Sequence, residues 1–76
     1  MTSKYTKKEL SNLRKKLPKA WSVILEKRTG KANSTIRKTL YGINNNDNII
    51  AEAVKLSQEY INSILENKKI INNEQN

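Results

Sequence analysis

Only two glycines occur in this chain, Gly30 and Gly42, and each falls where a helical pattern has to stop. Glycine reaches the left-handed backbone conformation that ends a helix without the steric penalty a side chain would bring. Gly30 stands where a helix beginning near Pro18 has run about three turns, at 3.6 residues per turn. Beyond it, Ile36 and Leu40 lie one turn apart on one face, while Ser34, Arg37, Lys38 and Tyr41 point elsewhere. Gly42 supplies the second stop. Residues 22–42 therefore predict two short helices joined at Thr29, Gly30 and Lys31. The second is apolar towards its own domain and cationic on the other side, a shape and polarity that suit the major groove of DNA.

The stretch Ser22 to Gly42 resembles the helix-turn-helix of the lambda-repressor and Cro-like superfamily, with spacing similar to that of the lac-repressor family headpiece. In that pattern a small residue stands four before the turn glycine and a hydrophobic residue follows the glycine. A serine opens the second helix, and a Thr-Val or Thr-Ile pair stands five and six after the glycine. Leu25, Gly30, Thr35 and Ile36 agree with it, whereas Glu26, Lys31 and Ala32 differ. Because alanine has no side-chain acceptor, Asn33 or Ser34 is the expected cap for the free amides at the start of the second helix.

Charge points the same way. Fifteen lysines and arginines against seven aspartates and glutamates give +8, and the excess is segregated. Residues 1–42 hold twelve basic and two acidic side chains, residues 43–76 three and five, so the positive field belongs to the half that carries the two short helices. Scattered lysines serve solubility in many small proteins. Segregation around a helix-turn-helix pattern favours a polyanionic partner instead.

Other classes are disfavoured by what the chain lacks. Cysteine and histidine are both absent, so thiolate zinc sites, disulfides, a thiol nucleophile and the commonest general base are unavailable. The carboxylates are scattered, with no paired constellation. The expectation is a non-enzyme with no cofactor, no metal and no small-molecule ligand. Val23-Ile24-Leu25 is far shorter than a membrane span, and the N-terminal residues show no apolar signal region. The expected setting is the cytoplasm or nucleoid of a bacterium. The abundance of Asn, Lys and Ile also fits an A+T-rich, phage-encoded gene.

The remaining segments read as scaffold in an all-α domain of four helices over residues 1–69. Thr6 followed by Glu9 is a capping box, and Leu10, Leu13 and Leu17 recur at helical spacing, predicting a first helix over residues 7–16. Pro18 suits the first turn of the second helix. Trp21, Ile24, Leu25 and Arg28 share one side of it, with Trp21 as a core anchor. After an Asn-rich loop, Asp47 or Asn48 is the expected cap of a last helix over residues 49–68, followed by a disordered tail over residues 70–76.

That last helix carries two apolar rows, Ile49, Ala53, Leu56, Tyr60, Ile64 and Ile50, Val54, Ile61, Leu65, which together cover about half its circumference. Two arrangements follow. One row packs on the first three helices and the other forms a two-fold homodimer contact, or the small domain wraps both rows into its core.

The functional expectation is a sequence-specific double-stranded DNA-binding protein, a small transcriptional regulator that places residues 33–41 in the major groove. Arg37 and Lys38 are the expected base readers, flanked by Asn33, Ser34 and Tyr41. Lys19, Ser22, Lys31, Thr35 and Thr39 are the expected phosphate contacts. Lys4, Lys7, Lys8, Arg14, Lys15 and Lys16 add a less specific attraction. Two alternatives stay open: a non-specific genome-associated or accessory DNA-binding protein of a phage, and a helix-turn-helix protein-interaction module.

Overall fold

The computed structural model describes residues 4–73. It comprises four α-helices and, among the described residues, no strand: α1 (Lys7–Lys15), α2 (Trp21–Thr29), α3 (Asn33–Leu40) and α4 (Asp47–Asn73). The fold class is all-α.

Local signals set most of these boundaries. Thr6 and Glu9 form a reciprocal capping box, in which the Glu9 amide donates to Thr6 Oγ1 at 3.0 Å and the Thr6 amide to Glu9 Oε1 at 2.8 Å. At the end of α1, Leu17 is drawn into the core while its amide donates to the Arg14 carbonyl at 3.1 Å. The chain then makes a turn in which the Trp21 amide donates to the Pro18 carbonyl at 3.1 Å. Consequently α2 begins at Trp21 rather than near Pro18, because the turn that buries Leu17 uses the intervening residues first. α2 ends at Gly30, whose φ of 71° is the left-handed conformation and whose amide donates to the Glu26 carbonyl at 2.8 Å.

A second left-handed glycine, Gly42 at φ 84°, closes α3. Its amide donates to the Thr39 carbonyl at 3.2 Å, and the Ile43 amide reaches back to the Lys38 carbonyl at 2.8 Å. These two bonds constitute a Schellman motif. α3 accordingly ends at Leu40, with Tyr41 as its C-cap.

The cap of α4 is Asn46, not Asp47 or Asn48: its Oδ1 accepts from the Ile49 amide at 3.2 Å. Asp47, already in the first turn, instead pairs with Lys4 at 2.9 Å and holds that ammonium above its usual pKa, chiefly through the hydrogen bond.

Leu10, Leu17, Leu25, Ile36, Leu40, Ile49, Ile50, Ala53 and Leu56 form one aliphatic core, with Leu13, Trp21 and Ile24 packed against it. α2 lies against both α3 and α4, and α1 crosses α3 and α4. Trp21 is therefore a half-buried wall of the core rather than its centre, and its ring centroid stands 6.4 Å from that of Tyr41.

The largest departure from expectation concerns α4. It continues through residues 70–73, which the sequence reading assigned to a tail; residues 74–76 lie outside the described part. Its apolar rows are divided along the helix, not around it. In the first half both rows contribute to the core through Ile49, Ile50, Ala53 and Leu56. In the second half Tyr60, Ile61, Leu65 and Ile71 are all exposed. Length is the cause. Helices of eight or nine residues span about 12–14 Å, whereas the 27 residues of α4 span about 40 Å, so its second half extends beyond the others. The molecule is correspondingly elongated, 54 by 25 by 16 Å.

A Cβ built at Gly30 would meet nothing within 4 Å, so its backbone conformation, not space, requires glycine there. Gly30→Ala is expected to lower unfolding stability by about 1 kcal/mol, the cost of a left-handed alanine. Urea titration followed by helical circular dichroism checks this; an unchanged midpoint would mean that the turn tolerates another backbone shape.

Candidate nucleic-acid interface

α2 and α3 are joined by Gly30, Lys31 and Ala32. The connection is fixed locally. Thr29 Oγ1 donates to the Leu25 carbonyl at 2.7 Å and accepts from the Lys31 amide at 3.2 Å, tying the start of the turn to the helix before it. The turn leads into Ala32, whose extended backbone at φ −65° and ψ 147° precedes the first residue of α3.

Burial divides α3 cleanly. Ile36, Thr39 and Leu40 are buried, and Asn33 and Thr35 lie at the border. Ser34, Arg37, Lys38 and Tyr41 are exposed, at the spacing of a single helical stripe. Neither Arg37 nor Lys38 joins an ion pair among the described residues. Two cations with no internal carboxylate partner therefore stand on the outer face of a helix whose inner face is locked into the core.

The remaining predicted base reader, Asn33, is placed differently. It does not cap α3; the N-cap is Ala32, without a side-chain hydrogen bond. As the first residue inside the helix, Asn33 is past the position from which a side chain folds back on the amides, and its Nδ2 donates to Glu26 Oε2 at 2.9 Å. Glu26, where the resembled pattern has a small residue, thus orients the amide at the entrance to α3. Sequence reading missed this role, although the acidic residue amid so many cations was a visible signal.

Tyr41 is 51% exposed at the far end of the stripe, with its ring held in place. The Arg14 guanidinium carbon lies 4.0 Å from the Tyr41 ring centroid, and Arg14 Nη1 donates to the Leu40 carbonyl at 2.5 Å. Arg14 is accordingly a strut from α1 to the end of α3 as well as a charge.

Of the predicted phosphate contacts, Lys19 and Lys31 are exposed in the turns before α2 and α3. Two others do not present hydroxyls outward. Thr39 is 1% exposed and donates its Oγ1 proton to the Thr35 carbonyl at 2.9 Å, so its hydroxyl is already satisfied inside the domain. Ser22 is buried on the inner side of α2. Thr35 is half-buried, with its carbonyl engaged by Thr39.

Arg28 also turns away from the stripe. It makes a two-pronged contact with Glu59 of α4, Nη2 to Oε1 at 2.6 Å and Nη1 to Oε2 at 3.0 Å. That hydrogen-bonded pair holds the Glu59 carboxyl below the usual glutamate range and raises Arg28.

Among the described residues no group of three or more metal-ligating side chains forms, and no helix is long and apolar enough to cross a membrane. Compared with known proteins, the chain matches no family model, no curated protein and no solved structure.

Proposed function

We propose that the protein is a sequence-specific double-stranded DNA-binding regulator whose α2 and α3 act as a helix-turn-helix, with α3 in the major groove. The observation that carries this reading is the outward stripe of Ser34, Arg37, Lys38 and Tyr41, backed by the buried Ile36, Thr39 and Leu40. A groove-reading helix needs such a division: side chains that can reach base edges on one face and a rigid attachment on the other. Its likeness to the lambda-repressor and Cro-like superfamily, carried by Leu25, Gly30, Thr35 and Ile36, agrees with that use.

Within this reading, Arg37 offers a bidentate fork to guanine O6 and N7, and Lys38 a more flexible donor. Ser34 and Tyr41 border them, while Asn33 offers the part of its amide that Glu26 leaves unengaged. Lys19 and Lys31 hold the phosphates on either side. α1 and α4 are capped by Thr6 and Asn46, whereas neither α2 nor α3 has a side-chain cap. First-turn amides with no internal acceptor suit phosphate oxygens, which also complement the helix dipole. Phosphate contact at the start of α2 then falls to backbone amides and Lys19 rather than to the buried Ser22 hydroxyl.

Selection from randomised duplexes at near-physiological salt tests the reading, followed by titration of the selected duplex and a scrambled control. Enrichment of one motif with clear preference over the control supports sequence-specific regulation. Equal affinity for both assigns the protein to broad genome association, and absence of binding refutes the DNA reading. Lys19→Ala is expected to weaken both duplexes about equally and to make the slope of log affinity against log salt shallower by about 1, the signature of one lost phosphate contact. Anisotropy titrations across a salt series would read it; a change confined to one duplex would instead make Lys19 a base reader.

A further inference from the structure

Glu26 is the only carboxylate on α2 and α3, and it forms no ion pair among the described residues although Lys27 and Arg28 follow it in the chain. It engages Asn33 instead, accepting from Nδ2 at 2.9 Å across the turn. A carboxylate only accepts hydrogen bonds, so the end of the Asn33 amide that meets it has to be the nitrogen. An amide turned the other way would set Oδ1 against Oε2, acceptor against acceptor. Glu26 therefore fixes which end of this amide is nitrogen and which is oxygen.

What remains of the amide is one N–H and the lone pairs of Oδ1, since no other hydrogen bond to this side chain forms among the described residues. Asn33 is the first residue of α3 and stands one turn before Arg37, so the two share a row on the helix surface. The N-terminal residues of a groove-docked helix are the ones that meet base edges. An acceptor beside a donor complements adenine, which offers the N6 amino group next to N7 in the major groove. Guanine O6 and N7 are both acceptors and would call for both amide protons, one of which Glu26 holds. A carboxylate beside DNA also lowers the attraction to phosphates of every sequence alike. Its contribution is to discrimination, not to general affinity.

Resting on the groove docking of α3 proposed above, we infer that Glu26 is a positioning residue for Asn33 and that the pair reads adenine, with Oδ1 accepting from N6 and the free Nδ2 proton donated to N7. Because the two ends of the amide are fixed, the order of acceptor and donor across the groove is fixed as well, and an A·T pair is told from T·A at that position. Asn33 and Arg37 lie about 6 Å apart along the helix, less than two base-pair steps of about 3.4 Å. The adenine accordingly stands within two positions of the guanine assigned to Arg37.

The test uses the duplex obtained by selection, with its adenines replaced one at a time by 7-deazaadenine, in which carbon takes the place of N7. At one adenine, within two positions of the base whose preference Arg37→Ala relaxes, the wild-type protein is expected to lose roughly 5- to 150-fold in affinity, the range of a good base contact. Asn33→Ala should not respond to the replacement there, whereas Arg37→Ala still should. Glu26→Ala should respond less than wild type, accept T·A in place of A·T more readily, and bind a scrambled duplex at least as well, which a merely structural loss would not produce. Alanine is the best helix former, and thermal melts of the variant check that it stays folded. The replaced bases leave the protein unaltered, so the adenine contact is tested even if that variant does not fold. An Asn33→Ala protein as sensitive as wild type to every replacement overturns the adenine contact. A Glu26→Ala protein with undiminished discrimination, or with a preference changed at a cytosine instead, overturns the positioning role. Either result on a duplex that is bound selectively leaves the DNA reading standing, whereas selection that yields no bound duplex overturns both.

Discussion

Arg37→Ala is expected to lower affinity for the preferred duplex by about 1–3 kcal/mol, roughly 5- to 150-fold, and to relax the preference at one base position. Truncation at Arg37 removes little from the fold, because the side chain is exposed and forms no ion pair among the described residues. Binding and stability should therefore separate: the melting temperature stays within a few degrees while discrimination between duplexes collapses. Comparing the variant on the selected duplex and on single-base changes of it distinguishes a base contact from a phosphate contact. A uniform loss across all sequences would place Arg37 on the backbone, and no loss at all would remove α3 from the groove.

The second large effect is on folding itself. Leu25 is fully buried in α2, the helix that packs on both α3 and α4. Leu25→Ala is expected to cost about 2–5 kcal/mol, the lost burial plus the cavity left behind. A core in a chain this small supplies on the order of 3–5 kcal/mol in all, so the variant should be largely unfolded at 37 °C. Val23→Ala, at an exposed position of the same helix, should stay within about 0.5 kcal/mol. Thermal melts of the pair followed by circular dichroism check the contrast. If Leu25→Ala melts like Val23→Ala, the core described here does not hold the domain together.

Parts of this architecture were legible in the sequence because they are local. The Thr6 and Glu9 capping box needs only residues three apart. The left-handed Gly30 and Gly42 reflect an intrinsic preference, and the four-helix, all-α organisation follows from where those punctuators stand. The start of α2 was less legible: Trp21, Val23, Ile24 and Leu25 are nearly continuous, and such a run carries little 3.6-residue periodicity to mark an edge. Asn44, Asn45, Asn46, Asp47 and Asn48 can each cap a helix, and the choice of Asn46 depends on how the Schellman turn at Gly42 delivers the chain.

At the candidate site, periodicity identified which residues of α3 point outward, since Ile36 and Leu40 fix the inner face. It could not separate Thr39 and Ser22 from exposed hydroxyl residues. A small hydroxyl that bonds to the carbonyl one turn earlier fits inside a core as readily as outside it, as Thr39 does on Thr35. The Glu26 to Asn33 hydrogen bond crosses the turn and depends on the approach of two helices, which no spacing rule encodes. The exposed second half of α4 was hidden for a related reason. Its apolar pattern is uniform, and only the shortness of the other three helices leaves that half uncovered.

The most direct test of the central proposal is amide chemical-shift mapping by nuclear magnetic resonance during titration with the selected duplex. DNA docked through α3 should perturb Ser34, Arg37, Lys38 and Tyr41, with Lys19 and Lys31 as flanking phosphate contacts, and leave residues 61–72 of α4 essentially unmoved. Perturbations concentrated on α4, or spread over the cationic surface of α1 with α3 silent, would contradict the account.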